Sequence, residues 1–126
     1  MCVEASDPSA FTIDLDDLLV RCLGNLEFAE RILAMFQERF DQDLVELDRL
    51  WLEGDAPGVA RLAHRLKGAS ANAAARGLHW RVSQIEQLAR QASLTAVGPH
   101  LDHLRQEWET LRQSLPLVGS AAGSDE

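Results

Sequence analysis

A histidine, a lysine three residues further on and a glycine directly after it stand together in the run Ala63-His64-Arg65-Leu66-Lys67-Gly68-Ala69-Ser70-Ala71-Asn72. The surrounding residues read as helix. Three residues are slightly less than one helical turn, so the imidazole and the ammonium lie side by side on one surface. Gly68, a full turn beyond the histidine, removes side-chain bulk from the spot next to it. A neutral imidazole is a nucleophile near pH 7, and a lysine beside it is a charge partner for a phosphoryl group. The chemistry these residues suit is the carriage of a phosphoryl group on His64.

The elements that must position them are helices. Leu, Ala, Glu, Arg and Gln are abundant, β-branched residues are scarce and there is no tyrosine, which favours an all-α chain. Residues 1–10 read as a flexible tail and residues 117–126 as a disordered one, leaving residues 11–116 for one bundle. A short first helix runs from Asp14 to Leu23, with Leu15, Leu18, Leu19 and Cys22 at helical spacing and Gly24 as its stop. Asn25 caps a second helix of about 28 residues, with the stripe Ala29, Ile32/Leu33, Phe36, Phe40, Leu44, Leu47, Trp51, up to Gly54. Asp55 caps the third, with Pro57 in its first turn and the stripe Val59, Leu62, Ala63, Leu66, Ala69/Ser70, Ala73. At 100° per residue His64 falls about 160° from the centre of that stripe, facing out, and Lys67 about 100° round. Ala60, Gly68 and Ala71 flank the histidine, and all are small.

Arg76-Gly77 reads as a turn before a fourth helix from Leu78 to about Ala92, with the stripe Leu78, Val82, Ile85, Ala89, Ala92 and a polar strip of His79, Ser83, Glu86 and Arg90. A fifth helix begins between Leu94 and Pro99 and carries Val97, Leu101, Leu104, Trp108, Leu111 and Leu115. Pro99 is either in its first turn or at a kink, and Pro116 ends it. Trp51 and Trp108 are expected in the core, whereas Trp80 lies opposite its helix's stripe. Four amphipathic helices on short loops predict an antiparallel four-helix bundle with a short extra N-terminal helix.

Charge sharpens the picture. The formal net charge is −8, which argues against nucleic acid as a partner. Yet residues 56–92 hold a single acid, Glu86, and six bases: Arg61, Arg65, Lys67, Arg76, Arg81 and Arg90. The histidine sits in the only basic segment of an acidic protein, a field that suits an anionic group or an acidic partner surface. Arg61, Arg65 and Arg90 are candidate docking residues on that basis, and Ala60 and Ala71 because small residues beside the histidine let a partner approach closely, although the arginines also suit pairing with the acidic second helix. Glu86 likewise has two readings, an i,i+4 partner of Arg90 or a group that orients the imidazole.

Other chemistries find less support. Cys2 and Cys22 make neither a disulfide framework nor a metal set. His100 and His103 have metal-ligand spacing, but no Cys or acid completes a site, and no metal is expected. No P-loop or Gly-rich nucleotide motif is present, so the chain draws no phosphoryl group from ATP itself. No apolar run approaches the roughly 18 residues that span a membrane, and the N-terminus lacks the regions of a signal peptide, so a cytoplasmic protein is expected.

At the third helix the sequence resembles the histidine phosphotransfer (HPt) domains of bacterial phosphorelays. Their Ala-His-x-Leu-Lys-Gly-Ser-Ser/Ala-x-Asn-like signature matches the run from Ala63 to Asn72, and their Leu-Glu-x-x-Ala-Arg-like stretch matches Ile85-Glu86-Gln87-Leu88-Ala89-Arg90. Glu53-Gly54-Asp55 matches the connection before the histidine helix. The resemblance implies that His64 is phosphorylated, that Lys67 sits beside the phosphoryl oxygens and that Gly68 leaves room for the group and its docking partner. It also implies that Glu86 takes the place of a polar residue, often Gln, that hydrogen-bonds the imidazole. The partners implied are the receiver domains of a response regulator and of a hybrid histidine kinase, which supply the catalytic Asp and Mg²⁺. The chain itself is then a monomeric carrier, not an enzyme, with no cofactor of its own. Where the family has an apolar residue and a glycine after the Asn, this chain has Ala73-Ala74, which predicts that the third helix runs on. Two readings of another kind stay open: a non-phosphorylated bundle that binds or sequesters a regulator, and a metal-binding bundle using His100 and His103.

Overall fold

The computed structural model describes residues 13–113. Five helices follow one another: α1 (Leu15–Arg21), α2 (Leu26–Leu52), α3 (Ala56–Asn72), α4 (Arg76–Arg90) and α5 (Leu94–Gln113). α2 to α5 form the four-helix bundle, with α3 between α2 and α4, and α5 packed on both α4 and α2. The short α1 lies beside α2, and its first turn is tied to the α3–α4 connection, where the Asp14 N–H donates to the Ala74 carbonyl at 3.0 Å and Arg76 pairs with the Asp14 carboxylate at 2.9 Å. The expected terminal tails, Cys2, Leu115 and Pro116 lie outside the described residues.

The first three helices start where the sequence offers a side-chain cap, whereas α4 starts after Ala75 without one. Asp14, Asn25 and Asp55 accept from the N–H groups of Asp17, Phe28 and Gly58, satisfying donors that a helix N-terminus leaves unpaired. The ends are made less predictably. Four helices finish with the same closure, in which the second residue past the cap donates back to the helix: Gly24 to Leu19, Asp55 to Leu50, Ala75 to Ser70 and Ser93 to Leu88. That closure needs a left-handed residue, which is usually glycine. Gly54 supplies it once (φ 75°), while Leu23 (φ 57°), Ala74 (φ 59°) and Ala92 (φ 59°) supply it elsewhere.

Three expectations change accordingly. Leu23, not Gly24, is the residue that stops α1. The third helix does not run on through Ala73-Ala74: it ends at Asn72, and Ala74 takes a left-handed shape that more often falls to glycine. The turn before α4 is therefore Ala73-Ala74-Ala75, and Arg76-Gly77 is already helix. α5 begins at Leu94, which puts Pro99 inside the helix beyond its first turn.

The core is the set of inward stripes. Phe40 stacks on Trp108 at 4.4 Å between centroids, and Phe36 meets both rings edge-on at 5.4 and 5.6 Å. Trp108 donates its indole N–H to Asp41 at 2.7 Å. Trp51 is only half-buried; its indole donates to the Leu94 carbonyl at 2.8 Å, and a Cβ at Gly98 would stand 3.0 Å from its ring. Gly98 thus lets α5 approach the end of α2. Leu15, placed in the first helix's apolar stripe by its spacing, is half-exposed. Among the described residues no helix is long and apolar enough to cross a membrane.

Candidate functional site

α3 and α4 bring the site together. The stripe Val59, Leu62, Ala63 and Leu66 is buried, which turns the opposite face of α3 outward and leaves the His64 side chain 64% exposed. Facing it from α4 is Glu86, whose side chain is only 6% exposed. The His64 Nδ1 lies 3.0 Å from Glu86 Oε2. Lys67 Nζ lies 2.9 Å from Oε1 of the same carboxylate, and Arg90 donates to Oε2 from Nε at 3.0 Å and from Nη2 at 2.6 Å. One buried carboxylate therefore contacts three basic side chains, His64 and Arg90 among them.

The electrostatics follow. Burial alone would push the Glu86 carboxyl up; hydrogen bonds from Arg90, then Lys67, then His64 outweigh it and hold the carboxyl down at about 2. Glu86 is ionised at any ordinary pH, and an ionised carboxylate only accepts hydrogen bonds. A neutral His64 must then carry its proton on Nδ1, leaving the Nε2 lone pair free on the exposed edge of the ring. Nothing crowds that edge from Gly68, where an added Cβ would meet no atom within 4 Å.

The other candidate residues divide. Arg65 pairs with the buried carboxylate of Asp43 on α2 at 3.2 Å, so it joins two helices. Arg61 is exposed, and Ala71 is half-buried. Ala60 is only 6% exposed and forms the floor of a cleft rather than a raised surface. Trp80 is exposed, with the Arg81 guanidinium 4.9 Å over its ring. His100 sits 2.8 Å from Arg81, which grips Glu107 of α5 in a nearly buried pair. No group of three or more His, Cys, Asp and Glu side chains suited to a metal occurs among the described residues.

Sequence reasoning missed two partners. Lys67 bonding to Glu86 was foreshadowed by a lone acid among six bases, since every cation in reach of it competes for one carboxylate. Asp43 stands three residues after Phe40 and four before Leu47, in register with the apolar stripe, and an acid in that register calls for a cation that reaches in from the surface.

The fold and the site define a four-helix bundle in which an exposed histidine, His64, meets a buried carboxylate. The Hpt domain family matches residues 31–114, about two thirds of the sequence, and the chain belongs to that family. Membership carries a phosphotransfer role in two-component signalling. No curated protein and no solved structure matched the chain.

Proposed function

We propose that this protein relays a phosphoryl group between receiver-domain aspartates through His64. The observation that carries the reading is the His64–Glu86 pair, in which a buried carboxylate engages Nδ1 of an exposed ring. The Nε2 lone pair attacks the phosphorus of a receiver's aspartyl phosphate, the P–O bond to aspartate breaks, and the aspartate leaves as its carboxylate. In the second half the acceptor's aspartate attacks that phosphorus, and the P–N bond breaks back to the neutral ring. Lys67, on the same side of the carboxylate cluster, offsets the charge of the incoming group. Phosphoryl transfer asks mostly for positioning and charge neutralisation, and the partner's aspartate and Mg²⁺ supply the rest. The chain is then a carrier and not an enzyme.

A phosphorylated cognate receiver should label the protein in an acid-labile, base-stable form. His64→Gln should abolish the label while helicity is kept. Unchanged labelling of that variant would sink the proposal, and a receiver that binds but never labels wild type would favour a sequestering role.

A further inference from the structure

One helical turn before His64, the start of α3 and the end of α4 enclose a cleft of about 410 Å³. Ala56, Pro57 and Ala60 line it from α3 and Ala89 from α4, while Arg61 and Arg90 stand at its edges. Ala60 and Ala89 are buried, so the floor is apolar and smooth, and both arginine side chains reach solvent. The two cations differ. Arg90 is already engaged by Glu86 at 2.6 Å. Arg61 has no carboxylate within reach among the described residues, although ten of the chain's twelve bases are paired. A free guanidinium at the rim of an apolar floor, in a chain of net charge −8, leaves an acid to be supplied from outside.

We propose that this cleft is a docking subsite for the phosphoryl-exchanging protein, taking an apolar side chain onto Ala60 and Ala89 and a neighbouring carboxylate onto Arg61. The inference rests on the carrier reading above and adds to it a residue that selects the partner. Arg61 lies one turn before His64, at i−3, so an acid held there sets the partner's register along α3 close to the reacting nitrogen. Arg90, shared between the cleft and Glu86, makes the two places electrically continuous.

The test uses the full chain and two donors. Phosphoramidate, a small donor that needs no docking, reports on His64 itself. Receiver domains of the source organism, phosphorylated with acetyl phosphate, report on docking, and the one that labels wild type fastest is kept. Arg61→Glu reverses the free charge, and Ala56→Leu fills the cleft from its half-exposed edge. For each variant the receiver rate is divided by the phosphoramidate rate. The ratio is expected to fall about tenfold in both variants through KM, with the rate at saturating receiver within about twofold, as for loss of one good interfacial contact. A wild-type ratio in either variant overturns the proposal, because one effect alone reports only a general field or general bulk. Sedimentation that shows a dimer dissolved by Arg61→Glu overturns it in favour of a second copy of the chain. If wild type takes label from neither donor, the carrier reading falls and this one with it; if it takes label from both and the variants match it, only the subsite falls.

Discussion

Oε2 of Glu86 lies 3.0 Å from Nδ1 of His64, so a buried carboxylate on α4 faces one nitrogen of an exposed imidazole on α3. Glu86→Gln keeps an acceptor of the same shape and removes the charge that polarises the ring. Labelling of His64 by phosphoramidate should slow by about tenfold, the lower end of what losing an orienting partner costs. Lys67→Ala should slow it as well. Because Lys67 and Glu86 touch at 2.9 Å, the double variant should lose less than the product of the two single losses. Independent effects would show that the pair does not act as a unit.

Acid should unfold the protein through the same carboxylate. The folded Glu86 carboxyl is held at about 2 against an ordinary value of 4.5. Its contribution is present above pH 4.5 and is lost as the pH falls towards 2, because the unfolded chain takes up the proton first. A shift of that size is worth roughly 3 kcal/mol. Denaturant titrations between pH 6 and pH 2.5 should show wild type losing stability more steeply than Glu86→Gln. Parallel curves would refute the linkage.

A second pH effect lies at the α4–α5 contact. Burial, then the neighbouring Arg81, then His103 hold the His100 imidazole below its ordinary value, with Glu107 acting weakly the other way. The folded protein disfavours the charged ring, so stability is lost as the pH falls below about 6.5, where the unfolded chain protonates. His100→Gln should flatten stability between pH 7 and pH 5. In the same cluster, Glu107→Gln strands Arg81, whose side chain is 13% exposed, and should cost about 3 kcal/mol without changing His64 labelling.

The left-handed alanines make a prediction about stability alone. Ala92 is exposed with φ 59°, and Ala92→Gly relieves the crowding that an L side chain meets there. After the extra freedom of the unfolded glycine is counted, a gain of about 0.5–1 kcal/mol is expected, or a few degrees in Tm. Ala74→Gly should gain less, because Ala74 is 3% exposed and its methyl is packed in the core. Equal gains at both sites would contradict this account.

The bundle was legible from periodicity, since the stripes that fill the core also fix which face of α3 carries His64. Caps were legible for the same local reason: Asn25 and Asp55 act on donors three residues away. Helix ends were not, because Leu23, Ala74 and Ala92 adopt a conformation that their side chains disfavour and that only the packing of the next helix imposes. Contacts between helices were partly legible. The lone acid among six bases announced Glu86, but which bases reach it depends on the rotation of α3 against α4. Arg81 and Glu107 pair across twenty-six residues of sequence, and no local pattern marks them.

The guanidinium of Arg90 touches both the Glu86 carboxylate, which faces His64, and the cleft beside it. Its consequence is evolutionary. On the docking proposal, a duplicated copy of this gene changes its partner through position 61 and keeps its chemistry intact. On the same proposal position 90 is closed to that route, because a substitution there removes a partner of Glu86 and an edge of the cleft together. Paralogues that diverged into separate pathways should therefore vary at the first position and hold the second.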